Sequence, residues 1–348
     1  MSGEPLTLRE VQPRDWHALS AGFRDLTFEQ TRAYCEPAAA RVGATPRFIA
    51  VERSGEVVAL AAMRVKKIPL LGRGIVWLPA GPMVLAPGKS DPSSDEVTAI
   101  LAALRQRLVE TEGHVLQLRF SALSFLEQAQ AQEMAREAGF GPATRASLYK
   151  TYALDARFGE EELMRRLNGK WRGNLRNALK AGLTIDRAGD DRLNGRFDEV
   201  FEFVQLAKGF VPSISTEFHR SCMAEDYRLE TFVVSKDGVD LGAGMLVVTG
   251  QNANYLFGAT NVAGRPVRAG YQLTWAMILR CIELGLTWMD LGGVDFDANP
   301  EVGGYKERIG AAYVEGAGPF EASPSGMLPK VIHMLEDLRA WRKSRSGH

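Results

Sequence analysis

Two stretches of the chain carry the same succession of apolar and polar positions. Residues Arg47–Val65 (RFIAVERSGEVVALAAMRV) are two apolar runs around a polar Ser54-Gly55 turn, the pattern of a β-hairpin. Residues Thr231–Val248 (TFVVSKDGVDLGAGMLVV) repeat it with Asp237-Gly238 at the turn, where glycine readily supplies a positive φ. A further β-rich segment follows each hairpin, GIVWLPAGPMV from Gly74 and NANYLFGAT from Asn252. A helical pattern comes next, from Glu96 in the first case and from Tyr271 in the second, and each helix leads into a short strand, HVLQLRF or TWMDLGG. Hairpin, strand, helix and strand thus occur twice in the same order. Hairpins followed by helices are common in α+β proteins, but four elements recurring in order predict an internal duplication of one α/β unit. The boundary is expected near Gly139–Asp155, giving domains over 1–147 and 148–325 and a C-terminal amphipathic helix and tail over 326–348.

The segment Leu163–Lys180 stands outside this rhythm. Leu163, Leu167, Trp171, Leu175 and Leu179 recur every four residues and predict one apolar helix stripe, with a kink or break at Gly169 or Gly173. Arg165, Arg166, Lys170, Arg172, Arg176 and Lys180 add six positive charges without an acid among them, and Arg172, Arg176 and Lys180 share a face at i, i+4, i+8. A merely solvated face usually alternates in sign. Six like charges repel unless an anion is near, so a phosphate-bearing ligand is the better reading: a nucleotide, a lipid diphosphate or an RNA backbone.

Composition narrows the classes. The chain has 348 residues, with 42 Lys+Arg balancing 42 Asp+Glu, so no chain-wide positive field draws it to nucleic acid or membranes and any such contact is local. Cys35, Cys222 and Cys281 are few, odd in number and far apart, which excludes a disulfide scaffold or a structural zinc site and fits a reducing compartment. The N-terminal MSGEPLTLREVQPRDW lacks the apolar core of a signal peptide, and the uncharged stretch Gly74–Gly88 is broken by three prolines, so a cytoplasmic protein without a transmembrane segment is expected.

Chemistry concentrates in Trp288–Gly310, WMDLGGVDFDANPEVGGYKERIG. A strand ending at Asp290 meets Gly292-Gly293, where the backbone turns sharply or approaches a ligand closely. Asp295, Asp297 and Glu301 follow in a loop without the spacing of a calcium loop, so no metal is expected. Gly303-Gly304 then delivers Tyr305 and Lys306, and Lys306 is a cation placed where negative charge develops, or else a surface lysine. Asp295 is a candidate proton acceptor or a brace for the loop. The loop GRPVRAGYQLTWAMIL from Gly264 loosely resembles the pyrophosphate-binding turn of acetyl-CoA-dependent N-acetyltransferases, without its glycine spacing and with Pro266 removing an amide. His219 and Cys222 form no ligand pattern, and no Ser/His/Asp triad, Walker loop, HExxH or CxxC is present.

FEQTRAY at Phe28, AGPMV at Ala80, KWRGNLRNALKAGLTI at Lys170, YLFGAT at Tyr255, MDLGGVD at Met289 and GGYKERIG at Gly303 occur in order. Together they resemble the FemABX family of non-ribosomal aminoacyltransferases, over roughly residues 28 to 312. The resemblance implies an α/β (α+β) fold of two tandem GNAT-like acyltransferase domains, each a mixed, mostly antiparallel sheet with flanking helices. It implies transfer of an amino acid from aminoacyl-tRNA to an amine of a UDP- or lipid-linked muropeptide, building an interpeptide bridge, with no metal or bound cofactor. A lipid-linked substrate would bring the protein to the inner membrane face as a peripheral partner. By position, Lys306 would stabilise the developing oxyanion and the tRNA-side leaving group with Tyr305 beside it, and Arg176, with Arg172 and Lys180 on its face, would contact the precursor's phosphates. Tyr255 and Phe257 are candidates for lining the acceptor channel.

Two other functions stay open. An acyl-CoA-dependent GNAT-type N-acyltransferase on an amino sugar, polysaccharide or lipid intermediate suits the zero net charge, since gripping tRNA usually takes a positive surface. A catalytically dead tandem fold that only binds a cell-wall intermediate is the third. The poor CoA turn and the retained Lys306 favour the aminoacyl-tRNA reading.

Overall fold

The computed structural model describes residues 4–143, 148–208 and 214–326, together with 329 and 334. The helix expected over 326–348 therefore lies almost wholly outside the described residues. Among the described residues, fourteen strands form two seven-stranded sheets. In chain order they are β1 Thr7–Glu10, β2 Thr45–Arg53, β3 Glu56–Lys67, β4 Gly74–Leu78, β5 Val115–Leu118, β6 Gly141–Pro142, β7 Tyr149–Asp155, β8 Thr184–Ala188, β9 Arg228–Lys236, β10 Val239–Thr249, β11 Asn252–Thr260, β12 Trp288–Asp290, β13 Ala312–Gly316 and β14 Phe320–Ala322. The helices are α1 Trp16–Ser20, α2 Arg32–Arg41, α3 Ser94–Arg105, α4 Gln128–Glu137, α5 Gly159–Arg166, α6 Gly169–Leu179, α7 Asp191–Lys208, α8 Thr216–Ser221, α9 Ala269–Glu283 and α10 Pro300–Glu307. No helix among the described residues is long and apolar enough to cross a membrane.

The duplication is explicit in the strand orders, β1-β2-β3-β4-β5-β14-β6 and β13-β7-β12-β11-β10-β9-β8. Read as two runs of seven, the first five strands of each run lie side by side. Both expected hairpins are present, β2–β3 around Ser54-Gly55 and β9–β10 around Asp237-Gly238, all four turn residues at positive φ. The fourth and fifth strands of each run pair in parallel, β4 with β5 and β11 with β12, because α3 and α9 serve as the crossovers that parallel neighbours require. The seventh strand of each run then enters the other sheet. β14 sits between β5 and β6, and β7 sits between β12 and β13. The chain accordingly divides into two units that do not follow a single cut. One holds the described residues of Met1–Asp25, Cys35–Leu148 and Gly316–His348, and the other Leu26–Tyr34 and Tyr149–Glu315. The units change over between Leu148 and Tyr149, while Leu26–Tyr34 belongs to the second unit and the described residues from Gly316 onward to the first.

In the first unit α3 lays Val97, Ile100, Leu101 and Leu104 on the sheet, at the i, i+3, i+4, i+7 spacing of one helix face. Ser93 caps the helix by accepting the amide of Glu96. In the second unit α9 does the same with Leu273, Met277, Ile278 and Cys281. Gly244 on β10 leaves no room for a side chain, since a Cβ there would lie 2.9 Å from the backbone carbonyl oxygen of Phe257. The three cysteines are free and buried, and burial pushes the thiols of Cys35 and Cys281 up to about 12, so they are inert core residues.

Candidate active site

The strip Leu163–Lys180 is two helices rather than one. Leu167 leaves α5 with ψ 134°, and Asn168 caps α6 by accepting the amide of Lys170, 2.9 Å away. The break thus comes just ahead of Gly169, while Gly173 lies within continuous helix. Leu163, Leu167, Trp171 and Leu175 are buried as their period predicts, but Leu179, at the exposed end of α6, is 50% exposed. Of the six cations, Arg165 and Arg166 are paired with Glu162, one turn earlier on α5. Lys170, Arg176 and Lys180 are exposed, and Arg172 donates to the Arg165 carbonyl, so the open positive face is carried by α6.

Trp171 points the other way. Its ring packs against Tyr271 of α9 and Tyr305 of α10, at centroid distances of 5.1 and 5.8 Å. Gly303 and Gly304, expected in a loop, lie inside α10, a helix that opens with Pro300, a residue well suited to a first turn. Gly303 lets the Phe296 ring pack close, since a Cβ there would lie 2.6 Å from the ring in its present position. The Tyr305 hydroxyl donates to the Gly270 carbonyl and meets the Thr274 hydroxyl, both at 3.0 Å, which ties α10 to α9. Burial pushes this phenol well above its ordinary range, so it stays neutral.

Lys306 is 9% exposed, and its Nζ donates to the carbonyls of Gly292 and Gly293 at 2.8 and 3.0 Å. Burial lowers its pKa to about 8, against a partial lift from the charge of Asp290. Asp290 is the site residue that motif reading passed over, visible only as an acid set in the apolar WMDLGG. Its buried carboxylate accepts from Thr151 Oγ1, the Tyr149 hydroxyl and the Gly292 amide. Burial raises its pKa while those donors hold it down. Gly292 has φ +80°, and a Cβ would lie 2.6 Å from the Tyr255 carbonyl oxygen, so no other residue fits this turn without displacing backbone.

Strands β11 and β12 pair only through Asn252↔Trp288, Ala253↔Met289 and Asn254↔Asp290, then part. The turn that Lys306 grips begins where they separate. Immediately beyond, Leu256 bulges out of the β10–β11 ladder, so Tyr255 lies opposite Leu246 and Phe257 opposite Met245. Neighbouring residues of β10 face opposite sides of the sheet. Tyr255 therefore belongs to the α9 side, where its hydroxyl bonds to Thr274, while Phe257 packs against Phe197, Phe201 and His219. The two do not line one wall. Asp295 is exposed, and its Oδ1 accepts the amides of Asp297 and Ala298 at 3.0 and 2.9 Å, the bracing alternative of its two readings. Among the described residues no group of acids, histidines and cysteines is arranged to hold a metal.

The loop between β11 and α9 does not fit a pyrophosphate-cradling turn. The Asn261 side chain accepts the Gly264 amide at 2.9 Å, and the amides of Arg268, Ala269 and Tyr271 go to carbonyls of the loop itself. Pro266 has none to give.

Residues 165–307 match the family model of an acetyltransferase (GNAT) domain. No curated protein sequence matches the chain. Among solved structures, FemX is 17% identical and superposes with a TM-score of 0.76 over 91% of this chain and 97% of its own. L-PGS from Bacillus licheniformis is 13% identical, with a TM-score of 0.52 over 97% and 98%. A conserved protein of unknown function from Bacteroides thetaiotaomicron is 9% identical, with a TM-score of 0.52 over 91% and 99%. Residues 165–307 thus carry a GNAT-type acyltransferase domain, and the chain has the fold of FemX, similar to the FemABX family that its motifs resemble.

Proposed function

We propose that the chain transfers an amino acid from aminoacyl-tRNA to an amine of a UDP- or lipid-linked muropeptide, on the cytoplasmic side where charged tRNA is found, without metal or bound cofactor. The observation that carries this reading is Lys306, a buried ammonium with two of its three N–H donors fixed on backbone carbonyls at the mouth of the β11–β12 split. One donor remains for a reacting oxygen.

In the reaction a neutral amine attacks the ester carbonyl, a C–N bond forms, and the carbonyl oxygen becomes an oxyanion. The third N–H of Lys306 stabilises that charge. When the C–O bond breaks, the departing ribose oxygen takes a proton from Lys306, which recovers one from the newly acylated nitrogen. An acid with a pKa near 8 is well matched to that exchange at neutral pH. Tyr305 holds α10 in place, and Asp290 holds the Gly292 amide in the turn whose carbonyls hold Lys306. The exposed cations Lys170, Arg176 and Lys180 along α6 and at its end, with Arg172 beside them, suit the phosphates of the precursor or of tRNA. FemX, the similar structure, supports the reading by fold. The loop after β11, with the amides of Gly264, Arg268 and Ala269 spent internally, argues against the alternative acyl-CoA donor.

The test is thermal stability with a UDP-linked muropeptide, with CoA, with acyl-CoA and with no ligand. A ligand at a hundred times its dissociation constant adds about 2.7 kcal/mol. A raised midpoint with the muropeptide, lost in Arg176→Ala, is the expected result. Stabilisation by CoA alone overturns it.

A further inference from the structure

Strands β3 and β4 are joined by Ile68-Pro69-Leu70-Leu71-Gly72-Arg73, and this tip does what tight turns in water-soluble proteins avoid. Leu70 is fully exposed, at 106%, and Leu71 is 56% exposed. Leu70 also sits at φ +70°, where a glycine or asparagine costs less. The strain is not the product of slack. The ladder runs out to Lys67↔Gly74, Ile68 donates to the Arg73 carbonyl at 2.8 Å, and Leu71 donates back to Ile68 at 3.2 Å. A closed, hydrogen-bonded tip thus holds two leucines outward, one of them against its own backbone preference. An outlier of this kind, with no local packing to explain it, points to a function outside the fold.

Charge identifies the partner. From Arg64 to Arg73 the chain reads RVKKIPLLGR, four cations and no acid in a protein with no net charge. Lys66 donates to the carbonyl of Val42, which adds another exposed apolar residue at the end of α2, beside Arg41. The nearby acid Glu112 is already engaged by Arg47 and Arg107. A protruding tip of two leucines cannot supply the roughly 800 Å² per partner of a stable protein interface. It does suit the headgroup boundary of a bilayer, where apolar side chains insert and flanking cations meet anionic lipid.

We infer that the β3–β4 tip is a membrane-docking loop that inserts Leu70 and Leu71 into an anionic lipid surface. The inference stands apart from the acyl-transfer reading. Neither element alone gives more than marginal attachment, so the two must act together.

The experiment is co-sedimentation of the full chain with vesicles of phosphatidylcholine alone and of phosphatidylcholine and phosphatidylglycerol in equal parts, at low and high salt. Binding to the anionic vesicles, weakened by salt, is expected, with Leu70→Gln/Leu71→Gln losing it roughly tenfold or more at an unchanged melting midpoint. Leu70→Gly should bind more weakly while melting no lower, since glycine accepts the left-handed backbone. No sedimentation, equal sedimentation with both vesicle types, or binding indifferent to the leucine changes overturns the inference. So does self-association of the chain that the double variant abolishes without any vesicle binding, which would make the tip an interface between copies.

Discussion

The Lys306 Nζ lies 2.8 Å from the carbonyl oxygen of Gly292, the residue whose amide is held by Asp290. The carboxylate and the ammonium therefore meet at one turn. Lys306→Met keeps the length of the side chain and removes the ammonium. We expect turnover to fall about 10²–10³-fold, as when an oxyanion donor is lost, with a melting midpoint no lower than the parent's, because the buried charge disappears as well. Steady-state rates and a thermal melt on the same preparation check both parts.

The pH dependence follows from burial. With its pKa near 8, Lys306 loses its proton within the working range, and an acid catalyst predicts a rate that falls as pH rises through about 8. A rate that instead rises through that pH would make the lysine a base. Stability runs the other way. The unfolded lysine titrates near its ordinary 10.5, so the native state is favoured fully above that pH and loses the contribution as pH falls through 8. Lys306→Met should flatten this slope in melts taken across the same window.

Asp290→Asn separates placement from packing. The substitution keeps the shape and an acceptor for Thr151 but removes the charge that lifts the lysine's pKa. The midpoint of the pH–rate profile should move below 8, and Asp290→Glu should restore part of it. A uniform loss of rate with an unmoved midpoint would mean that Asp290 only holds the turn.

Tyr305→Phe is expected to cost about 1 kcal/mol of stability through the lost bonds to Gly270 and Thr274. Turnover should fall far less than in Lys306→Met. Comparable losses would place the phenol in the chemistry itself.

A fourth site is purely architectural. Asp226 is buried and accepts the amides of Arg32 and Ala33 at 2.8 and 3.3 Å, capping the first turn of α2. Asp226→Ala leaves both donors unsatisfied and should lower stability by about 1–2 kcal/mol in a denaturant titration.

The elements of both sheets were legible because hairpin turns, strand lengths and crossover helices leave local marks in a sequence. Ser54-Gly55 and Asp237-Gly238 announce their hairpins, and Leu163, Leu167, Trp171 and Leu175 announce a buried face. The limits are equally physical. Leu179 keeps the period of that face yet ends exposed, since position along a helix axis is not encoded in periodicity. Tyr255 and Phe257 look like partners at i, i+2 until one bulged residue turns them apart. Gly303-Gly304 resembles a loop, yet both lie inside α10, which opens with Pro300. Asp290 falls inside MDLGGVD and reads there only as the end of a strand, because its role depends on Thr151 and Tyr149, some 140 residues away in sequence.

The exchange of β7 and β14 sets an order of events during synthesis. Domains ordinarily fold as they emerge, N-terminal first. Here the slot between β5 and β6 can be filled only by β14, so residues 320–322 complete a sheet whose first strand began at Thr7. β7 in turn waits for β12 before it has a neighbour on that side. The nascent first half therefore carries an unpaired strand edge until β14 has been made.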